Sequence, residues 1–192
     1  MNRKQRILSS VRLMLTLNAK DRVEYMRKHH LFGCLGKDVH IQSRLLPLYS
    51  NLIYIHNNVN IASNVTFLTH DIIHKMLNNK YHKEHFVEKV GCIEICDNVF
   101  IGAGAQIMYG TRIGRNVIIG AGSLVNTDVP DNCVYAGVPA KYIWGFYDYV
   151  QKARKYTKEF IAEYGTESVS NMSDDLAKKI YANFTKGKQN QL

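Results

Sequence analysis

Six β-branched aliphatic residues recur at six-residue intervals: Ile95, Ile101, Ile107, Ile113, Ile119 and Val125. A period of six fits neither the 3.6 residues of a helical turn nor a heptad. It is a multiple of two, so every third inward-facing residue of an extended chain occupies an equivalent place. Four residues after each aliphatic stands a small or β-branched one: Val99, Ala105, Thr111, Val117, Ser123 and Val129. Such hexads predict short strands joined by turns, three hexads closing a coil of about 18 residues, with the aliphatics stacked along the axis. Gly102, Gly104, Gly120 and Gly122 fall at predicted corners, as do Asn58, Asn64, Asn98 and Asn116, where φ turns positive.

The same grammar starts earlier. Leu35 and Ile41 are six apart, as are Ile55, Ile61 and Phe67, but the two sets differ in phase. An irregular turn over 46–51, holding Pro47, absorbs the slip. Residues 71–90 are polar and keep no six-residue phase. They predict a long loop inserted into a rigid array, the kind of segment that carries function at little cost to the scaffold.

Helices are predicted at both ends. Residues 3–17 place Ile7, Leu8, Val11, Met14 and Leu15 on one stripe, opposite Arg3, Arg6 and Arg12. A second helix spans 21–30. The tail holds one helix over 147–164 and another starting at Ser173, whose hydroxyl caps a turn containing Asp174 and Asp175. The predicted organisation is a helical cap over 1–33, a β-coil over 34–143 broken by the loop at 71–90, and a helical tail over 144–192. The N-terminal stripe has two readings. It closes the open apolar end of the coil, which the need of repeat arrays for caps favours, or it rests on anionic lipid as a peripheral contact.

At 192 residues and 46% hydrophobic content the chain has enough apolar matter for a core. The net charge of +9 is uneven: +7 over residues 1–44, zero over 45–145 and +2 over 146–192. The repeat region carries no basic stripe interleaved with aromatics, so no nucleic-acid partner is expected. The basic start followed by apolar residues imitates a signal peptide, but Ser9, Ser10 and Arg12 interrupt it and no small-residue cleavage site follows, which predicts a cytoplasmic protein. Cys34, Cys92, Cys96 and Cys133 are scattered and predict four free thiols.

Residues 93–143, with the segments IGAGSLV and AGVPAK, resemble the C-terminal coils of hexapeptide-repeat acyltransferases, and within them the sugar O-acetyltransferases related to maltose and galactoside acetyltransferases. The resemblance extends over about residues 33–143 and implies a mainly β fold: a left-handed parallel β-helix, assembled as a homotrimer, with acetyl-CoA in a groove between neighbouring subunits. It also implies a histidine where the inserted loop opens, and Thr69-His70-Asp71 stands there, with His74 repeating the local pattern. For acetyl-CoA it points to Gly102, Ala103, Gly120, Ala121, Thr127 and Lys141. Two positions depart from the family: Thr127 stands where a lysine is expected, and Trp144 where a second basic residue is expected. That leaves Lys141 to meet the 3′-phosphate of CoA. Arg44 aligns nearest the family's active-site asparagine.

Acetyl transfer from a thioester to an alcohol needs a base for the hydroxyl proton, and histidine, with an ordinary pKa of about 6.5, suits it. His70 is the expected base, with Asp71, Glu84 or Glu88 to orient the ring and a backbone N–H or a neighbouring subunit's side chain to hold the oxyanion. Arg44, Asp71, His74 and Tyr81 are expected on the acceptor side. The pairs His70/His74 and His82/His85 raise zinc catalysis as a rival, but no HExxH is present, and no metal is expected. N-acetylation of an amino sugar or other small amine remains open, as does a non-catalytic scaffold.

Overall fold

The computed structural model describes residues 3–166, 168–170 and 172–189; residues 1–2 of the expected cap and 190–192 of the expected tail lie outside the described residues. The chain divides into two compact units, Met1–Tyr147 and Asp148–Leu192.

In the first unit, helices α1 (Arg3–Leu15) and α2 (Ala19–Lys28) precede strands β1 (Cys34–Leu35) and β2 (His40–Ile41). A single 3-10 turn, Ser50–Leu52, leads to β3 (Ile53–Ile55), β4 (Val59–Ile61) and β5 (Thr66–Leu68). After α3 (Ile73–Lys80) follow β6 (Ile93–Ile95), β7 (Val99–Ile101), β8 (Gln106–Met108), β9 (Thr111–Ile113), β10 (Val117–Ile119) and β11 (Leu124–Val125). The unit ends with β12 (Cys133–Ala136) and β13 (Lys141–Gly145).

Successive strands rotate among three sheets, ordered β1-β3-β6-β9, β2-β4-β7-β10-β12-β13 and β5-β8-β11. The register measures each coil. Ile93 pairs with Thr111, 18 positions on, and Val99 with Val117, the same step. Ile53 pairs with Ile93, 40 positions on, so 22 residues are inserted there. Cys34 pairs with Tyr54, a step of 20, which is the phase slip expected around Pro47. It is taken up by the 3-10 turn, with Tyr49 before it at φ 53°.

The six aliphatics of the repeat are all buried, from Ile95 to Val125, and so are their six companions from Val99 to Val129. Alternation does this: strands such as β3, β4 and β7 bury their first and third residues and expose the second. Burying one such isoleucine stabilises the fold by about 2–3 kcal/mol. The predicted corners are present in two forms. Asn58, Asn64, Asn98 and Asn116 have positive φ, as do Gly104 and Gly122. Gly102 and Gly120 do not. They are small for a different reason: a Cβ on Gly102 would lie 2.4 Å from the Ala121 nitrogen, and one on Gly120 would lie 2.7 Å from the Ala136 Cβ. At one corner, Asn58 donates to Asn98, Asn98 to Asn116 and Asn116 to Asn132, side chain to side chain, in a continuous amide ladder.

The cap differs from the expectation. Ile7, Leu8, Val11, Met14 and Leu15 do not close the coil; they are exposed. The buried contribution of α1 is Leu13, and α2 supplies Val23 and Met26. The reason is polar as much as apolar. Arg22 is buried and donates to the carbonyls of Thr16 and Leu17 on one side and Ile41 and Gln42 on the other, locking the α1–α2 link to the first coil. The far end closes without a helix: β13 runs antiparallel to β12 and ends the parallel stacking.

In the second unit, α4 (Phe146–Tyr164), which starts just before the boundary, is followed by α5 (Asp174–Gln189). Asn183 donates to the Tyr164 hydroxyl, and the Ser173 hydroxyl caps α5 by accepting from the Leu176 N–H.

Candidate active site

The insertion leaves the coil at Thr69 and returns at Gly91. The Gly91 N–H donates to the Thr69 carbonyl at 3.0 Å, the Asp71 N–H donates to the Lys89 carbonyl at 3.0 Å, and His70 and Val90 form an antiparallel bridge. The base of the loop is therefore a fixed two-stranded neck. Beyond it the expected irregular segment contains α3. Asn78 ties that helix to the returning strand, accepting from the Phe86 N–H and donating to its carbonyl.

Three coils contribute to this neck in register. The pairing of Leu68 with Met108 places Tyr109 beside Thr69. On the other side the Thr69 hydroxyl donates to the Leu48 carbonyl at 2.6 Å, next to Tyr49. Tyr49 meets the His70 ring edge-on, centroids 5.3 Å apart, and donates its hydroxyl to Glu88 at 3.0 Å. That bond pushes the Tyr49 phenol above its ordinary pKa. The other oxygen of Glu88 lies 4.0 Å from His70 Nε2, while His70 Nδ1 is buried and meets no hydrogen-bond partner among the described residues. Of the three acids expected near the ring, Glu88 is the one placed there.

Asp71 points elsewhere. It accepts from the Tyr109 hydroxyl at 2.7 Å and the Ile73 N–H at 3.1 Å, and these bonds, the first above all, hold its carboxyl below the usual range. Lys89 lies over the Tyr109 ring at 5.3 Å. Beside Tyr49 opens a cleft of about 530 Å³ between α1, α2 and the turn before β3. Arg6, Ser9, Tyr25, His29, Tyr49 and Ser50 line it, and its lining contains no acid.

Comparison with known proteins bears on the coil that carries this neck. Residues 93–127 match the family described as bacterial transferase hexapeptide (six repeats). Residues 93–127 are thus a hexapeptide repeat of the bacterial transferase type. A galactoside O-acetyltransferase of Lactococcus lactis is 35% identical over 117 residues, covering 54% of this chain and 51% of that protein. Its Escherichia coli counterpart by name is 36% identical over 110 residues, covering 57% and 52%. A maltose O-acetyltransferase structure from Clostridium difficile 630 superposes with a TM-score of 0.57 at 29% identity, covering 74% of this chain and 85% of that one. The chain spans about half the length of the curated relatives it matches.

The chain brings some expected residues together and leaves others apart. His70, Asp71 and Glu88 share the neck. His74, in the first turn of α3, has a buried Nδ1 without a hydrogen-bond partner among the described residues. Tyr81 ends α3 and packs on Phe86, with Lys80 over its ring, as a loop anchor. Arg44 is not at the neck; it donates to the Met14 carbonyl at the end of α1 and lines a surface with Arg22 and Gln42. Glu84 is exposed. Gly102 and Gly120, expected to meet acetyl-CoA, have their amides engaged by the next coil, donating to the Ile119 and Tyr135 carbonyls. Ala103, Ala121, Thr127 and Lys141 are exposed. Among the described residues no group of three or more His, Cys, Asp or Glu side chains is gathered to hold a metal ion. All four cysteines are free thiols. Tyr49 and Tyr109 escaped the sequence reading, although counting the 20- and 40-residue steps from Thr69 would have reached both.

Proposed function

We propose that this chain transfers an acetyl group from acetyl-CoA to a hydroxyl of a sugar or saccharide precursor, with His70 as general base. The observation that carries the reading is the setting of His70. It stands where the coil opens into its insertion, between the Glu88 carboxylate and the Tyr49 ring, in a chain similar to galactoside and maltose O-acetyltransferases.

In this reading the acceptor enters the acid-free cleft beside Tyr49. His70 Nε2 takes the hydroxyl proton as the oxygen attacks the acetyl carbonyl. The tetrahedral oxyanion is held by a backbone N–H or a neighbouring subunit's side chain. Its collapse breaks the carbon–sulfur bond, and the imidazolium returns the proton to the departing thiolate, giving the acetyl ester and CoA. Glu88 stands 4.0 Å from Nε2, beyond hydrogen-bond length, and so leaves that nitrogen free for the acceptor hydroxyl. Close stacking at Gly102 and Gly120 leaves Ala103 and Ala121 on the outer surface, where a pantetheine arm lies along a left-handed coil in the groove of a homotrimer. Thr127 and Lys141 meet the nucleotide end.

Free-thiol release from acetyl-CoA, measured with galactosides, maltose and oligosaccharides, tests the reading. Turnover with a sugar is expected, with kcat falling about a thousandfold in His70→Ala at unchanged folding. Full activity of His70→Ala would remove the base; no thiol release and no CoA binding would remove the enzyme.

A further inference from the structure

The apolar stripe of α1 faces outward because the helix is held by its other side, through Leu13 and a contact between the Ser9 and Tyr25 hydroxyls at 3.4 Å. Ile7, Val11 and Met14 are about half exposed, and Leu8 and Leu15 are 70% and 73% exposed. The helix carries Lys4, Arg6 and Arg12 and no acidic residue, and Arg44 sits at its end against the Met14 carbonyl. A row of large apolar side chains bordered by cations is costly in water. It is accommodated where hydrocarbon and anionic headgroups lie side by side. No helix among the described residues is long and apolar enough to cross a membrane, so such a helix lies in the surface. The same helix of a second copy is a poorer occupant, because it would bring another acid-free, cationic helix against this one.

We propose that α1 docks this protein on an anionic lipid bilayer, with Ile7, Leu8, Val11, Met14 and Leu15 at the acyl boundary and the cations among the headgroups. The inference stands on α1 and does not depend on the transfer chemistry. Leu8 also lines the cleft beside Tyr49, so docking holds the cleft mouth at the lipid surface.

Co-sedimentation of the full chain with vesicles of phosphatidylcholine, with and without phosphatidylglycerol, tests it. Binding is expected to the mixed vesicles, to weaken with added salt, and to be at least tenfold weaker on phosphatidylcholine alone. Val11→Asp/Leu15→Asp, at exposed positions away from the cleft, lowers binding about tenfold or more while the melting temperature and oligomeric state stay the same. Lys4→Glu/Arg12→Glu removes the preference for phosphatidylglycerol. Absence of binding to either vesicle, or binding unchanged in both variants, overturns the proposal. Dissociation of a parent oligomer by Val11→Asp/Leu15→Asp overturns it too and assigns the stripe to a second copy.

Discussion

The Tyr109 hydroxyl donates to Asp71 at 2.7 Å, joining residues 38 positions apart. The bond lowers the carboxyl's pKa and raises the phenol's. A depressed carboxylate stabilises the fold above its unfolded pKa of about 3.9 and loses that contribution as pH falls through the folded value. A raised phenol stabilises below about pH 10 and loses its contribution as pH rises through the folded value. Tyr109→Phe is therefore expected to melt below the parent across neutral pH. The gap should close in strong acid and again above pH ~10. A gap independent of pH would show that the ring, not the bond, matters.

Glu88 stands beside His70 without bonding it, so in the proposed transfer it would act through its negative charge. Glu88→Gln keeps the shape and the Tyr49 contact while removing that charge. Acetyl transfer should fall in kcat by about tenfold with KM nearly unchanged. Tyr49→Phe, which deletes only the hydroxyl, should cost several-fold less. Equal rates for Glu88→Gln and the parent would detach Glu88 from His70.

Two glycines two positions apart answer to different physics. Gly102→Val drives a side chain into the Ala121 backbone and should cost more than about 3 kcal/mol. Gly104→Ala meets nothing within 4 Å and costs only its left-handed backbone, about 1–2 kcal/mol. Urea unfolding of both variants gives the comparison, and similar losses would contradict the close-approach account.

Arg22→Met leaves the carbonyls of Thr16, Leu17, Ile41 and Gln42 without their guanidinium. A loss of about 3 kcal/mol is expected, and hydrogen exchange should accelerate first in α1 and α2. Uniform acceleration across the coil would place the lock elsewhere.

The coil was legible because its determinants are periodic. Ile95 through Val125 mark one face by spacing alone, and asparagine at a corner announces its own backbone angle. The placement of α1 was not legible, because the expected stripe and Leu13 lie on different faces of one helix. What decides between them is Arg22, a single buried cation whose four carbonyl partners come from distant segments. At the candidate site, His70 was singled out because it sits at a break in the period. Glu88 stood among three equivalent acids until the neck brought one of them to the ring. Tyr49 and Tyr109 are neighbours of the loop only through the lengths of the coils above and below it.

The neck at Thr69 and Gly91 also has a consequence for how such chains diversify. Entry and exit of the insertion are hydrogen-bonded to each other, so the distance between them is set by the coil and not by what lies beyond. A longer or shorter excursion would close on the same two residues at a small entropic cost. The segment from Asp71 to Val90 is thus an exchangeable cassette: a lineage can rewrite what surrounds His70 while the stacked isoleucines beneath go untouched.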